Sequence, residues 1–180
     1  MPRSFGWGSS STVRCGPLSR IIYSPPSGAV HERLTMEAHP NRPRPIVGQT
    51  AHLSRKVTHE DISLFTQISG DRNPLHYDLR AAQTSRFGEI IVQGGVTSAI
   101  LNAVVAEELP GPGSVFLSVN WNFMAPVRPG DVITGHVEVT EVRADKPVTT
   151  LRTWVVRDDG TVVLEGTATC YTMELGGPPD

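Results

Sequence analysis

Gly94-Gly95-Val96-Thr97-Ser98-Ala99-Ile100-Leu101-Asn102-Ala103-Val104-Val105-Ala106-Glu107-Glu108-Leu109, followed by Pro110-Gly111-Pro112-Gly113, is the stretch on which the fold turns. Val96, Ile100, Ala103, Val104 and Leu109 are apolar and Ala99 and Ala106 are small, so the spacing predicts a mainly apolar helix over 96–109. The glycine pair opens it, and the Pro-Gly repeat stops it. Such a helix needs cover, and the chain beyond it supplies strands. Val115 to Phe123, Val132 to Val142, Val148 to Val156 and Thr161 to Thr172 have strand character. Pro129-Gly130-Asp131, Ala144-Asp145-Lys146-Pro147 and Asp158-Asp159-Gly160 are turn-forming groups between them. Helices first and an antiparallel meander afterwards indicate an α+β domain whose sheet packs one face on the apolar helix.

Upstream, Ala51 to Val57 reads as a short first strand. Thr58 then starts a helix with Asp61 in a capping-box relation, and Ile62, Phe65 and Ile68 form its apolar face up to Gly70. Asp78 is placed to cap a short helix over Leu79 to Ser85, with Gly88 breaking it. Residues 1–45 differ: Ser, Gly, Pro and Arg dominate and no period is sustained. They read as a disordered or loosely attached leader before one domain over 46–175. Arg3, Arg14 and Arg20, with no acid before Glu32, would fit a mitochondrial transit peptide. Gly6, Gly8, Pro17, Pro25 and Pro26 spoil its amphipathic helix, which favours an upstream extension with Met36 as the first residue of the protein proper.

Composition excludes several function classes. A net charge of −2 offers no basic field for nucleic acid or an anionic membrane. No apolar run reaches the roughly 20 residues of a membrane-spanning helix. Cys15 and Cys170 are too few and too far apart for a disulfide framework or a zinc ribbon. His59-Glu60 and His31-Glu32 lack the second histidine of a zinc-protease helix, and neither a serine elbow nor a phosphate-cradling glycine loop occurs. No metal or nucleotide site is expected. Asp158-Asp159-Gly160 is a hairpin turn rather than a calcium loop, and Trp121 and Trp154 read as strand packing residues.

The chemistry-bearing stretch is Ser69-Gly70-Asp71-Arg72-Asn73-Pro74-Leu75-His76-Tyr77-Asp78. It places an acid, an amide and an imidazole within six residues. Pro74 fixes its own φ and pushes Asn73 out of the helical region, so Asp71 and His76 sit across a rigid bend. A carboxylate and an imidazole facing one cavity can activate a water and shuttle a proton. On pattern alone, a turn held by Asx hydrogen bonds explains the same residues.

This string, with Ala81-Ala82 after it, closely resembles the signature of the MaoC-like family of R-specific enoyl-thioester hydratases. Ile90-Ile91-Val92-Gln93-Gly94 resembles the family's second motif. Leu109 to Leu117 and Phe123 to Asp131 resemble two more, in the right order, so the likeness covers about residues 46–173. The resemblance implies a single hot-dog domain, an antiparallel sheet wrapped around the central helix, and a homodimer with sites near the subunit interface. It implies reversible hydration of a trans-2-enoyl-CoA or enoyl-acyl-carrier-protein without cofactor or metal. Asp71 and His76 match the catalytic pair, and Asn73 the residue between them, expected to brace the loop. Gly94 matches the glycine whose N–H holds the thioester carbonyl oxygen. A helix N-terminus suits that role, because its unpaired N–H groups carry partial positive charge. Gln93 departs from the histidine common there, and Val119 from a polar residue in many relatives, which bears on substrate preference. The alternatives are a hot-dog acyl-thioesterase, with water attacking the carbonyl instead of Cβ, and a non-catalytic acyl-thioester-binding subunit. The expected compartment is the cytoplasm, or the mitochondrial matrix if residues 1–45 include a transit peptide.

Overall fold

A computed structural model describes residues 43–175, so the expected leader, apart from residues 43–45, lies outside the described residues. The elements run β1 (Thr50–Lys56), α1 (His59–Ser69), a 3-10 turn (Pro74–His76), α2 (Leu79–Thr84), α3 (Gly94–Ala103) with a π-helical continuation (Val104–Glu108), β2 (Ser114–Phe123), β3 (Val132–Val142), β4 (Val148–Arg157) and β5 (Val162–Thr172). The five strands form one antiparallel sheet in the order β1-β3-β4-β5-β2. Its inner face packs on α3, which meets β1, β3, β4 and β5. This is the hot-dog architecture.

Strand periodicity positions the core. Along β3, Ile133, Gly135, Val137 and Val139 turn inward while Thr134, His136 and Glu138 turn outward, the alternation of a half-buried strand. Ile100, Leu101, Val104 and Val105 of the long helix are buried against that face. Gly135 lets the helix come close, since a Cβ there would lie 2.7 Å from Ile100 Cγ2. Burial in the same core pushes the Cys170 thiol up to about 12, which keeps it unreactive. Among the described residues no helix is long and apolar enough to cross a membrane.

The strand order corrects the simple meander. Three consecutive strands, β3, β4 and β5, do pair in turn, but β2 lies beside β5 rather than β3. The link 124–131 is fastened elsewhere, which is the physical reason. Met124 N–H donates to Val163 O (2.9 Å), Val127 O accepts from Val92 N–H (2.9 Å), and Gly130 N–H donates to Val57 O (2.7 Å). Each of these bonds holds the link to a different part of the domain before it turns into β3. The long helix is also not α-helical throughout, and α2 stops at Thr84, short of Gly88.

Helix α1 shows where a period of three misleads. Ile68 is 83% exposed, and the side that faces the core carries Ile62, Phe65 and Thr66. Two successive steps of three residues drift by about 120° around a 3.6-residue helix, so Ile62 and Ile68 cannot share a face. The start of α1 follows the capping expectation. Asp61 Oδ2 accepts from Thr58 N–H at 2.7 Å and from Thr58 Oγ1 at 3.0 Å, and the carboxylate also pairs with Arg55. Burial works to raise the Asp61 pKa, but the Thr58 bonds and Arg55 outweigh it and hold it below the usual carboxylate value. A depressed carboxyl pKa stabilises the fold above the unfolded value and loses that contribution as pH falls through the folded one. Asp61→Asn is therefore expected to lower stability by roughly 1 kcal/mol at pH 7. Thermal midpoints should show the gap from wild type closing as the pH is taken below about 4; a gap independent of pH would assign the loss to something other than the charge.

Candidate active site

Gly70 ends α1 in the left-handed region (φ 76°), where its N–H closes on Thr66 O at 2.8 Å. A glycine is suited to that conformation because it has no Cβ to collide with the backbone. The chain then runs through two successive Asx turns. Asn73 N–H donates to Asp71 Oδ1 (3.0 Å), and Leu75 N–H donates to Asn73 Oδ1 (3.1 Å). Asn73 is extended (φ −56°, ψ 129°), as a residue before proline should be, and Pro74 opens the 3-10 turn that carries His76.

The bend thus uses one oxygen of Asp71 for its own backbone and leaves the other free. Asp71 Oδ2 lies 3.6 Å from His76 Nε2. The imidazole is buried, whereas the Asp71 side chain is 38% exposed. His76 Nδ1 is 2.7 Å from Ile91 O. A carbonyl can only accept, so Nδ1 carries a proton, and in the neutral ring Nε2 is the basic nitrogen, turned toward the carboxylate. The 3.6 Å gap exceeds a direct hydrogen bond but allows both groups to reach one water lying off the line between them. The Asx turn and the acid-imidazole pair, rival readings of the sequence, coexist in one loop.

The segment after Ile91 leads straight into α3. Gln93 is buried and precedes the helix. Its carbonyl accepts from Val96 N–H (3.0 Å) and Thr97 N–H (3.4 Å), while the N–H groups of Gly94 and Gly95 have no acceptor among the described residues. Those two donors form the positive end of the helix. Gly94 is covered by Phe123 of β2, whose Cε1 and Cζ would lie 3.1 Å from a Cβ at position 94. Gly95 is packed more tightly by Phe65 of α1, whose Cζ would be 2.0 Å from a Cβ there. An ion pair between Glu89 and Arg128 (2.5 Å) fastens the loop before α3 to the link after β2.

Asp71 and His76 come together, and Asn73 bonds the loop between them. Gln93 lies beneath, with Nε2 3.0 Å from Thr66 Oγ1. Sequence reasoning missed Thr66, Tyr77, Phe65 and Phe123. Phe65, Tyr77 and Phe123 stood in stretches read for packing or motif without a role of their own, and Thr66 was visible as a polar residue four positions from Ile62 on the face that is buried. The uncovered part of the sheet lies nearby. Val119, Trp121 and Phe123 pair with Ala168, Gly166 and Leu164 of β5 and so share the inner face. Val119 and Phe123 nevertheless remain 46% and 56% exposed.

Known proteins resemble the chain throughout this region. The model of the MaoC like domain matches residues 44–159. The (R)-specific enoyl-CoA hydratase of Aeromonas caviae is 38% identical over 122 residues, 68% of this chain and 91% of that protein. The 3-hydroxybutyryl-CoA dehydratase of Methylorubrum extorquens is 40% identical over 123 residues, 68% of this chain and 77% of the relative. In three dimensions, the solved (R)-hydratase from A. caviae aligns with a TM-score of 0.68 at 36% sequence identity, covering 71% of this chain and 97% of that one. With the acid-imidazole loop, the glycine-opened helix and strands β1 to β4 inside the matched span, the chain belongs to the MaoC-like domain family.

Proposed function

We propose that this protein reversibly hydrates a trans-2-enoyl thioester, carried on CoA or acyl carrier protein, to the (R)-3-hydroxyacyl thioester of fatty acid metabolism. The observation that carries the reading is the Asp71 Oδ2 to His76 Nε2 separation of 3.6 Å, with the ring held from behind by Ile91 O. A water between the two groups loses a proton to the pair as its oxygen bonds to Cβ. The electrons of the double bond move toward the thioester carbonyl, and the pair returns one proton to Cα. Negative charge develops on the carbonyl oxygen, and the Gly94 N–H at the head of α3 is the donor proposed to hold it. Atoms balance with water as the sole co-reactant, so the reaction needs no cofactor. Loss of enoyl absorbance from crotonyl-CoA tests the proposal directly. Release of free thiol without hydration would assign a thioesterase instead, and binding without turnover a non-catalytic subunit.

The protein is further proposed to work as a homodimer through β2 in the cytoplasm. As an edge strand, β2 has backbone groups unpaired on one side, and it exposes Val115, Leu117, Val119 and Phe123. An exposed apolar edge suits pairing with a second copy around a twofold axis. Val119→Lys should weaken self-association by roughly tenfold or more, read by sedimentation at several concentrations. An unaltered dimer would move the interface elsewhere. The intact mass of natively expressed protein tests the compartment, because removal of an N-terminal leader would indicate the mitochondrial matrix.

A further inference from the structure

The hydroxyl of Thr66, buried on α1, meets three partners: Asp71 O at 2.7 Å, Gln93 Nε2 at 3.0 Å and the Tyr77 hydroxyl. A hydroxyl has one proton to donate and two lone pairs to accept with. The Asp71 carbonyl can only accept, so the Thr66 proton goes there. The Gln93 amide nitrogen can only donate, so it takes one lone pair. The second lone pair is left for the Tyr77 O–H. Every capacity of Thr66 is filled. The same count fixes the Gln93 amide. Turned over, its oxygen would face a hydroxyl with no proton to spare and the Ile62 carbonyl, now 3.4 Å from Nε2.

We propose that Thr66 is a positioning residue of the reaction. It pins the Asp71 main chain from below, through a hydroxyl itself held by Gln93 and Tyr77, so that Oδ2 stays aimed at His76. The side chain of Asp71 is 38% exposed and has little packing to orient it. Its backbone is otherwise held by the Ser69 Oγ to Asp71 N–H bond (3.1 Å) and by the Asx turn to Asn73. The Tyr77 hydroxyl also lies 3.3 Å from Ile62 O, but with its one proton committed to Thr66 that contact adds no second hydrogen bond. The network joins three segments, α1, the Asp71 bend and the approach to α3. It therefore also couples the acid to the helix end proposed to hold the substrate oxygen. This inference rests on the hydratase reading.

The test compares Thr66→Val, which keeps the shape and removes the hydroxyl, with Thr66→Ser, which keeps the hydroxyl. With crotonyl-CoA, Thr66→Val is expected to lower kcat about tenfold or more with KM within about twofold, and Thr66→Ser to recover most of the rate. Because Thr66 acts through Asp71, adding Thr66→Val to Asp71→Asn should change the residual rate by less than about twofold. An unchanged kcat in Thr66→Val, or an equal loss in both backgrounds, overturns the positioning role while leaving the hydratase reading intact. A fully active Asp71→Asn removes the role of Asp71, and this inference with it, whereas a wild type that does not turn over crotonyl-CoA removes the hydratase reading. Should circular dichroism show Thr66→Val unfolded, Tyr77→Phe carries the test. It deletes one donor to the hydroxyl and should lower kcat about threefold at constant KM; no change in kcat would again overturn the proposal.

Discussion

Asp71→Asn is expected to lower kcat for crotonyl-CoA hydration by about 10²- to 10⁴-fold, and His76→Ala by a similar factor. The asparagine is nearly isosteric and its side-chain oxygen can still accept the Asn73 N–H, so the loop keeps its Asx turn while the carboxylate facing His76 disappears. The loss should therefore fall on turnover rather than on thermal stability. His76→Ala is less clean. It empties a buried site and deprives the Ile91 carbonyl of its 2.7 Å partner, so a modest drop in thermal midpoint should accompany the lost rate. Two groups sharing one water act as a unit, and the double variant should be scarcely slower than the worse single one. Multiplied losses would mean that the residues serve separate steps. Full activity in both single variants would remove the proposed chemistry altogether.

The second large effect is expected from a residue with no chemistry. Gly95→Ala puts a Cβ 2.0 Å from Phe65 Cζ and 2.3 Å from Cε2, a collision that requires the ring or the helix beneath it to move. Overpacking of this kind costs about 1–3 kcal/mol. Phe65 precedes Thr66 on α1, so whatever displaces the ring also strains the segment that supports Asp71. Turnover should fall roughly tenfold along with stability, since sub-ångström placement matters to a shared water. Phe65→Leu in the Gly95→Ala background should return part of both losses by vacating the contested space. Thermal unfolding and crotonyl-CoA turnover of wild type, Gly95→Ala, Phe65→Leu and the double variant check it; a Gly95→Ala variant as stable as wild type would show that the ring yields freely.

Much of the fold was legible because its signals are local. The strands over 115–123, 132–142, 148–156 and 161–172 begin and end within a residue or so of β2 to β5. Their turns are made by Gly, Pro and Asp residues whose backbone preferences act over a few residues. Asp159 illustrates this: its carboxylate accepts from Thr161 N–H at 2.9 Å and pairs with Arg157, holding the β4–β5 turn as the Asp-Asp-Gly string implied. In α1, by contrast, the Ile62, Phe65 and Ile68 spacing put Ile68 on the core face, where the structure has Thr66 instead. A short helix contains too few turns to average out that drift.

At the site, proline and Asx chemistry made the bend legible from ten consecutive positions, while the roles of the acid, the imidazole and the residue between them were named through the resemblance that those positions carry. The support beneath the bend could not be read locally. Thr66, Tyr77 and Gln93 meet across separations of 11 to 27 residues. Nothing in the local sequence around any one of them announces the other two. The residue before Gly94 was readable as a departure from the histidine of relatives, but its partner was not.

By itself, the sequence determined the helix-then-strand order, the turn positions and the acid-imidazole bend, since these follow from torsional preferences and side-chain periodicity over short spans. Only the tertiary structure decided that β2 crosses to β5, that Phe65 fills the space above Gly95, and that a threonine hydroxyl ties the reactive loop to the central helix. Those outcomes depend on which distant hydrogen-bonding groups and apolar surfaces come within reach once the chain has closed on its core.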